Sequence, residues 1–478
     1  MTALLLSLLA LPALAEEPLP EETTEESEPP APPPGSVLLT NARLIADADS
    51  DPVDGAALLV VDGRIAALAD SADGLLAERV VDLEGATVIP GLIDSHVHTT
   101  LLQGAPFRDD TEAERQDLIH QQLRSYVACG VTTALDAAAM PEDRVHVQGW
   151  LAEGNVGPTL YWLAYPPSPP GSYIQAVLPG SPVQETPEEV RAYVQAQPAP
   201  GVIGVKIAME EGMLRRIWPM PSGEWADALV QESAAVGLPI FAHAMGPEET
   251  IAALALQPRA LMHGLFVNDT EAIEAVVASG VWVVPTLVIS DNNFLALDPS
   301  RLEDPLLQAV ITPHELAALS DPEALDQSFR AVGAMVSPRL PPGLVARISR
   351  SERYYDKVLE DRLAATRRLH EAGVPLVMGS DAPAWPIMYS QIPGYSSVRE
   401  LELLGRVGLS PAEVLASATT VPAEMLGIED SAGRIAEGRP ADLVVLGDDP
   451  LEDVSAYREI RYVMHQGELR TPEGWLED

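Results

Sequence analysis

Short apolar segments alternate with longer helix-forming stretches through the middle of the chain, from about residue 91 to residue 427. Strands that alternate with helices are typical of repeated βα units, which build a parallel sheet. Eight apolar segments have the character of buried strands: 91–94, 131–135, 159–163, 202–205, 239–242, 260–262, 281–285 and 375–379. Eight parallel strands close a barrel. The sequence therefore predicts an α/β protein whose main domain, residues 91–427, is a TIM-like (β/α)8 barrel.

Strand-like runs without helices between them occur near both ends of the chain. They are found at 37–40, 57–61, 86–89, 441–446 and 462–467. Two separated sets of strands favour one β-domain that is assembled from both termini. We predict a small β-sandwich domain, with residues 37–90 as its N-terminal part and residues 428–478 as its C-terminal part.

Two segments without barrel character precede these strands. Residues 1–15 are an apolar run that ends in Ala13-Leu14-Ala15, a small-x-small cleavage motif, although no Lys or Arg precedes the run. This pattern predicts a signal peptide and a periplasmic or secreted protein. The run is too short to span a bilayer in the ordinary way, so we expect no stable membrane insertion. Residues 16–36 are acidic and Pro-rich and offer little to bury, which predicts an extended linker.

The charge balance restricts the partners of the protein. The chain has 71 acidic and 29 basic residues and a formal net charge of −42. This excess makes binding to nucleic acid or anionic lipid unfavourable, so neutral or cationic small molecules are the expected partners. An acidic surface is also consistent with a high-salt habitat. Assembly into a homo-oligomer is a separate question that the sequence leaves open.

Polar residues follow the predicted strands at the end where barrel enzymes place catalytic groups. The first strand runs into His96 and His98, and alternation along an extended chain directs both imidazoles to one side. An H-x-H pair alone also fits ordinary core or surface histidines. The fourth, fifth, sixth and eighth strands, however, end in Lys206, His243, His263 and Asp381. The set as a whole predicts a metal site.

Lys206 needs a separate chemical account among metal ligands, because an ammonium group has donors and no acceptor. Beside cations it would lose its proton, and the free amine could add carbon dioxide. The resulting carbamate is an anion with two oxygens, which can bridge two metal ions.

The segment 90–98, Pro-Gly-Leu-Ile-Asp-Ser-His-Val-His, together with the four later residues, resembles the amidohydrolase superfamily. The resemblance covers roughly residues 37–478 and includes 409–425 and 433–443. Residues 395–404 further resemble the imidazolonepropionase-like branch, which includes prolidase-like peptidases.

The resemblance implies a dinuclear metal site and a function for each ligand. The first ion would be held by His96, His98 and Asp381, the second by His243 and His263, and carbamylated Lys206 would bridge them. Zinc suits imidazole and carboxylate ligands, although other divalent ions are used in the family. A hydroxide that bridges the metals would attack a carbonyl. Asp381 would act as general base and then as general acid.

Three functions remain open at this point. The first is hydrolysis of a C–N bond in a peptide-like or cyclic amide, with prolidase-like dipeptides as the preferred substrates. The second is a mononuclear ring hydrolase of the imidazolonepropionase or deaminase type, against which Lys206 argues. The third is an inactive secreted binding protein on the same fold, against which the intact ligand set argues.

Substrate contacts are predicted from loops after the third and eighth strands. The weaker candidates are Tyr165, Tyr389 and Arg399. An insertion from residue 290 to about residue 355, between the seventh and eighth strands, can cover the catalytic face of a barrel.

Overall fold

The computed structural model describes residues 31–101, 111–178, 180–212, 218–336, 341–348, 350–384 and 390–477. The predicted signal peptide, residues 16–30 of the predicted linker and Tyr389 lie outside the described residues. Export and a substrate contact of Tyr389 therefore stay predictions.

Strands make up two sheets in the described part of the chain. In chain order they are β1 (Val37–Leu44), β2 (Val53–Val61), β3 (Arg64–Ala69), β4 (Arg79–Asp82), β5 (Thr87–Pro90), β6 (Leu92–Val97), β7 (Val131–Asp136), β8 (Thr159–Ala164), β9 (Val202–Ala208), β10 (Ile240–His243), β11 (Ala260–Met262), β12 (Trp282–Val284), β13 (Leu443–Leu446), β14 (Ile460–His465) and β15 (Glu468–Arg470).

Helices connect the strands. They are α1 (Glu112–Ala128), α2 (Pro141–Ala152), α3 (Tyr173–Val177), α4 (Pro187–Gln195), α5 (Gly223–Val236), α6 (Pro247–Leu254), α7 (Thr270–Ser279), α8 (Val288–Asp291), α9 (Pro305–Val310), α10 (Pro313–Ser320), α11 (Pro322–Val336), α12 (Pro342–Ile348), α13 (Glu352–Glu371), α14 (Tyr395–Val407), α15 (Pro411–Ser417), α16 (Thr420–Leu426) and α17 (Pro472–Leu476). Short 3₁₀ helices occur at Asn292–Ala296, Pro299–Glu303 and Val454–Arg458. Among the described helices, none is both long enough and apolar enough to cross a bilayer.

The barrel wall consists of seven consecutive parallel strands, β6 to β12, in which each strand pairs with the next one along the chain. The strands are buried on both faces, which explains their nearly continuous apolar sequences. β9 runs to Ala208, so Lys206 lies within the strand rather than directly after it. The prediction of a TIM-like barrel is confirmed.

The predicted eighth strand, residues 375–379, forms bridges instead of a regular strand. Leu376 pairs with Val283 of β12. On the other side, the backbone N–H of Asp381 donates to the carbonyl oxygen of His96 at 2.7 Å. The segment therefore lies between β12 and β6 and closes the barrel.

The second sheet is mixed and contains strands from both chain ends, in the order β15-β14-β13-β5-β1-β2-β3, with β4 paired to β1. The two ends meet where β5 pairs with β13 in antiparallel fashion. β5 passes into β6 through Gly91, and a Cβ at this position would lie only 2.0 Å from Oγ1 of Thr132. A β-domain from both termini is confirmed, while the predicted domain boundaries stay predictions.

The insertion between β12 and the eighth segment is helical, from α8 to α13. α9, α10, α11 and α12 each begin at a proline, which has the backbone angle of a first helical position. The longest helix, α13, buries Leu359, Arg362 and Leu363. It thereby connects the insertion to the barrel.

Candidate metal centre

The six predicted ligands converge at the C-terminal ends of the barrel strands. His96 lies in β6 and His98 follows it, while Lys206 lies near the end of β9. His243 is the last residue of β10, His263 follows β11, and Asp381 follows the closing segment. Parallel strands place their carboxyl ends on one side of the barrel, so the side chains meet there although they are far apart in sequence.

Short distances join the ligands into one cluster. Oδ1 of Asp381 lies 3.2 Å from Nε2 of His96 and 3.0 Å from Nε2 of His98. Nζ of Lys206 lies 3.4 Å from Nε2 of His96. The ring centroid of His263 is 4.6 Å from that of His96 and 4.5 Å from that of His243. The structure therefore brings all six predicted residues together.

The donor atoms of this cluster fit divalent metal ions. His96, His263 and Asp381 each offer a ligand atom, and these three atoms lie within 4.8 Å of one another. Among the described residues, Nε2 of His243 is buried and has no hydrogen-bond partner. A buried polar atom without a partner points to a ligand that the chain does not supply. Imidazole and carboxylate groups suit zinc and related ions.

Burial also selects the protonation states that metal ligands need. Burial, followed by the charge of Lys206, lowers the pKa of His96 well below its usual range. Burial and the neighbouring His243 lower the pKa of His263 in the same way. Both imidazoles are therefore neutral, and the neutral ring is the form that coordinates a metal.

Lys206 is buried, and the pKa of its ammonium group lies near neutral pH. Burial lowers its pKa to about 7, although the negative charges of Asp381 and Asp136 oppose this effect. A lysine with this pKa presents a free amine at neutral pH in a substantial part of the molecules. The free amine is the form that can add carbon dioxide.

Three non-glycine residues adopt a left-handed backbone conformation at this end of the barrel. His263 has a φ of 85°, Thr286 a φ of 46° and Asp381 a φ of 56°. Such conformations are costly for residues with a Cβ, and they persist where the surrounding structure holds them. Two of the three residues are predicted metal ligands.

Arg362 of α13 holds two of these strained residues. Its buried guanidinium donates to the carbonyl oxygens of His263 at 3.0 Å and of Thr286 at 2.9 Å, and to Oγ of Ser290 at 2.9 Å. Thr286 in turn bonds Nδ1 of His263 through Oγ1 at 3.1 Å. This bond leaves Nε2 of His263 for a metal. The helical insertion thus fixes the orientation of one ligand.

Asp94 fixes the opposite side of the centre. Its carboxylate accepts from the backbone N–H of His96 at 3.2 Å and of Ser380 at 3.0 Å, and from Oγ of Ser397 at 2.7 Å. The residue joins β6, the closing segment and α14. Burial raises the pKa of Asp94, while these hydrogen bonds oppose the effect.

Gly379 permits the closing segment to approach β6. A Cβ at this position would lie 2.4 Å from Cγ1 of Val284 and 3.0 Å from Cβ of His96.

We expect Gly379→Ala to lower the free energy of unfolding by roughly 1–3 kcal/mol, the usual cost of overpacking. Urea unfolding measures this change. Gly149→Ala is the matched control in α2, where a Cβ meets no atom within 4 Å. Equal stability of the two variants would contradict the close approach.

Two of the residues predicted to contact the substrate, Tyr165 and Arg399, have polar partners within the chain. Tyr165 is buried, and its hydroxyl lies 2.6 Å from Oγ of Ser181. Arg399 donates to the carboxylate of Asp291 at 2.8 and 3.1 Å and also contacts Glu402. These partners explain both side chains without a substrate, so substrate binding by Tyr165 and Arg399 stays a prediction.

The structure adds three residues beside His243 that the sequence analysis missed. The ring of Tyr173 stacks on that of His243 with 5.2 Å between centroids, and Trp218 contacts Tyr173 edge to face. Oε2 of Glu210 lies 3.6 Å from Nε2 of His243. Glu210 lies just after β9, the strand that carries Lys206. A charged residue at the end of a predicted strand is a sequence signal that could have identified it. Tyr173 lies in a loop helix, α3, and no comparable pattern marks it.

Comparison with known proteins places these features in a family. A model of the amidohydrolase family matches residues 87–470. The ochratoxinase of Aspergillus niger is 22% identical over 488 residues, which cover 95% of this chain and 88% of that protein. The adenine deaminase of Deinococcus deserti is 31% identical over 150 residues, 30% of this chain. The imidazolonepropionase of Micrococcus luteus is 32% identical over 130 residues, 26% of this chain. The chain spans only 24% and 31% of the lengths of these last two relatives.

Solved structures resemble the whole described fold. The crystal structure of an amidohydrolase is 26% identical, with a TM-score of 0.67 and coverage of 91% of this chain and 98% of that one. The structure of a Xaa-Pro dipeptidase with methionine bound in its active site is 22% identical, with a TM-score of 0.68 and coverage of 91% and 99%. The second likeness, at this identity, shows the fold alone.

Proposed function

We propose that the chain, which belongs to the amidohydrolase family, hydrolyses carbon–nitrogen bonds and cleaves dipeptide-like substrates with two divalent metal ions. The observation that carries this proposal is the position of Lys206, whose Nζ lies 3.4 Å from Nε2 of His96. A site for a single ion has no use for a bridging ligand. The choice of dipeptides rests on the resemblance of residues 395–404 to the branch of the family that includes prolidase-like peptidases.

The proposed ligands divide into two groups. His96, His98 and Asp381 would hold one ion, and His243 and His263 would hold the other. Lys206, once carbamylated by carbon dioxide, would be the ligand shared by both ions, and zinc suits this set of donors. The short contacts of Asp381 with both histidines of the first group support the division.

The proposed reaction consumes one water and releases a carboxylic acid and an amine. Bound divalent ions would polarise the scissile carbonyl and favour ionisation of the attacking water. Asp381 contributes the proton transfer. Its carboxylate accepts a proton from the water as the new C–O bond forms, and it gives the proton to the amide nitrogen as the C–N bond breaks.

A mononuclear ring hydrolase is the second candidate. The group formed by His96, His263 and Asp381 is compact enough for one ion. The partial likeness to an adenine deaminase and to an imidazolonepropionase also favours this candidate. The number of bound ions and the substrates cleaved distinguish the two functions.

We expect protein that is purified without chelator and supplied with bicarbonate to contain about two divalent ions per chain. Elemental analysis by mass spectrometry measures this number. The same preparation should hydrolyse dipeptides in a panel that also contains N-acyl amino acids, cyclic imides and aminopurines. A content near one ion, with cleavage of the ring substrates, would favour the second candidate. Bound metal without turnover of any panel member would favour an inactive binding protein.

A further inference from the structure

Glu210 is a buried carboxylate beside the metal centre that the proposed reaction does not use. Only 5% of its surface is exposed. Oε1 accepts from the backbone N–H of Gly212 at 2.8 Å. Oε2 lies 3.6 Å from Nε2 of His243, which is beyond hydrogen-bond distance. Among the described residues, Nε2 of His243 is buried and has no hydrogen-bond partner.

A carboxylate in a buried position is costly unless a cation or hydrogen bonds compensate its charge. The described residues provide no lysine or arginine for Glu210. The neighbourhood of Glu210 is negatively charged instead. Burial raises the pKa of the nearby Glu249, and the charges of Glu210 and two further glutamates raise it further. A cation that enters with the substrate would offset this charge.

Aromatic rings lie on the same side of the centre. Tyr173 is 8% exposed and stacks on His243, and Trp218 packs against Tyr173 in an edge-to-face arrangement. Burial, followed by the charges of Glu210 and Asp381, raises the pKa of Tyr173. Aromatic faces beside a carboxylate are suited to an ammonium group. The elements of an ammonium site are therefore present next to His243.

The geometry of a dipeptide brings its ammonium group to this place. One carbon separates the α-amino nitrogen from the scissile carbonyl carbon, so the two atoms are about 2.5 Å apart. A group that binds the ammonium must consequently lie directly beside the metal ions. Glu210, next to a predicted ligand, meets this requirement.

We infer that Glu210 binds the α-ammonium group of the substrate and selects dipeptides with a free amino terminus over N-acylated amino acids. The inference rests on the proposed dipeptidase function and deepens it. The competing role for Glu210 is to help hold the ion that His243 would bind, because its Oε2 lies 3.6 Å from Nε2 of His243. The two roles predict different responses to the loss of the ammonium from the substrate.

Alanyl-proline and propionyl-proline form the test pair, because the second compound lacks only the ammonium group. We expect the wild-type protein to prefer alanyl-proline in kcat/KM by roughly 10- to 100-fold, the range for a hydrogen bond to a charged group. Glu210→Gln should lose most of this preference by a fall in kcat/KM for alanyl-proline alone, while metal content stays unchanged. Glu248→Gln removes an exposed charge on α6 nearby and should keep the preference.

Each outcome bears on the inference. An equal fall for both substrates together with loss of metal in Glu210→Gln would assign Glu210 to the metal centre and overturn the ammonium site. Equal cleavage of both substrates by the wild-type protein would overturn it without any variant, even if Glu210→Gln does not fold. If the wild-type protein hydrolyses other amides of the panel but no dipeptide, the proposed substrate is wrong and the site falls with it.

Discussion

Asp381→Asn is expected to lower kcat by roughly 10² to 10⁴ while the fold persists, because general acid–base catalysis contributes an effect of this size. An asparagine keeps the size of the side chain and one oxygen acceptor, but it cannot accept and return a proton. The left-handed backbone of Asp381, with a φ of 56°, is tolerated by asparagine as well as by aspartate. The variant therefore isolates the proton transfer from the shape of the site.

The measurement is turnover of Asp381→Asn across a metal titration at constant pH. If Asp381 were a ligand only, its loss would weaken metal binding, and saturating metal would restore near wild-type rates. Persistent inactivity at full metal content is the expected result. Asp448→Asn is the control, because this aspartate is exposed and lies after β13 in the terminal sheet. Recovery of Asp381→Asn at high metal would remove the acid–base role.

The metal ligands could be predicted because a parallel barrel turns a local pattern into a spatial one. His243 and His263 each follow a short apolar run, and such a run predicts a strand without knowledge of the rest of the fold. Once the strands form a barrel, their C-terminal ends share one face. Residues that are more than a hundred positions apart, such as His96 and Lys206, therefore meet without any sequence signal for their contact.

The supporting residues could not be predicted, since their positions depend on tertiary packing. Arg362 lies in α13, and nothing in its local sequence shows that its guanidinium reaches the carbonyl oxygen of His263. Tyr173 reaches His243 from a five-residue helix in a loop. The predicted eighth strand is not a regular strand in the structure. Pro375 lacks an N–H that could be donated to a neighbouring strand, and the closing segment pairs by isolated bridges.

Lys206→Ala is expected to abolish most of the activity and to reduce the metal content from about two ions to about one per chain. The change removes the group that we propose as the bridge, while His96, His98 and Asp381 keep the first ion. A short carboxylate such as acetate fits the volume left by the side chain and supplies two oxygens. Acetate or propionate should therefore restore part of the activity and the second ion.

Two further variants separate the carbamate from a simple cation at this position. Lys206→Arg keeps a positive charge but remains protonated, so it should lose the second ion as the alanine variant does. Lys357→Ala changes the other lysine of the chain, whose side chain is 74% exposed in an ion pair with Asp361, and should leave metal and activity unchanged. Activity in Lys206→Arg close to that of the wild-type protein would show that the positive charge is what the site needs. Since a positive charge cannot bridge two cations, that result would exclude the proposed dinuclear centre.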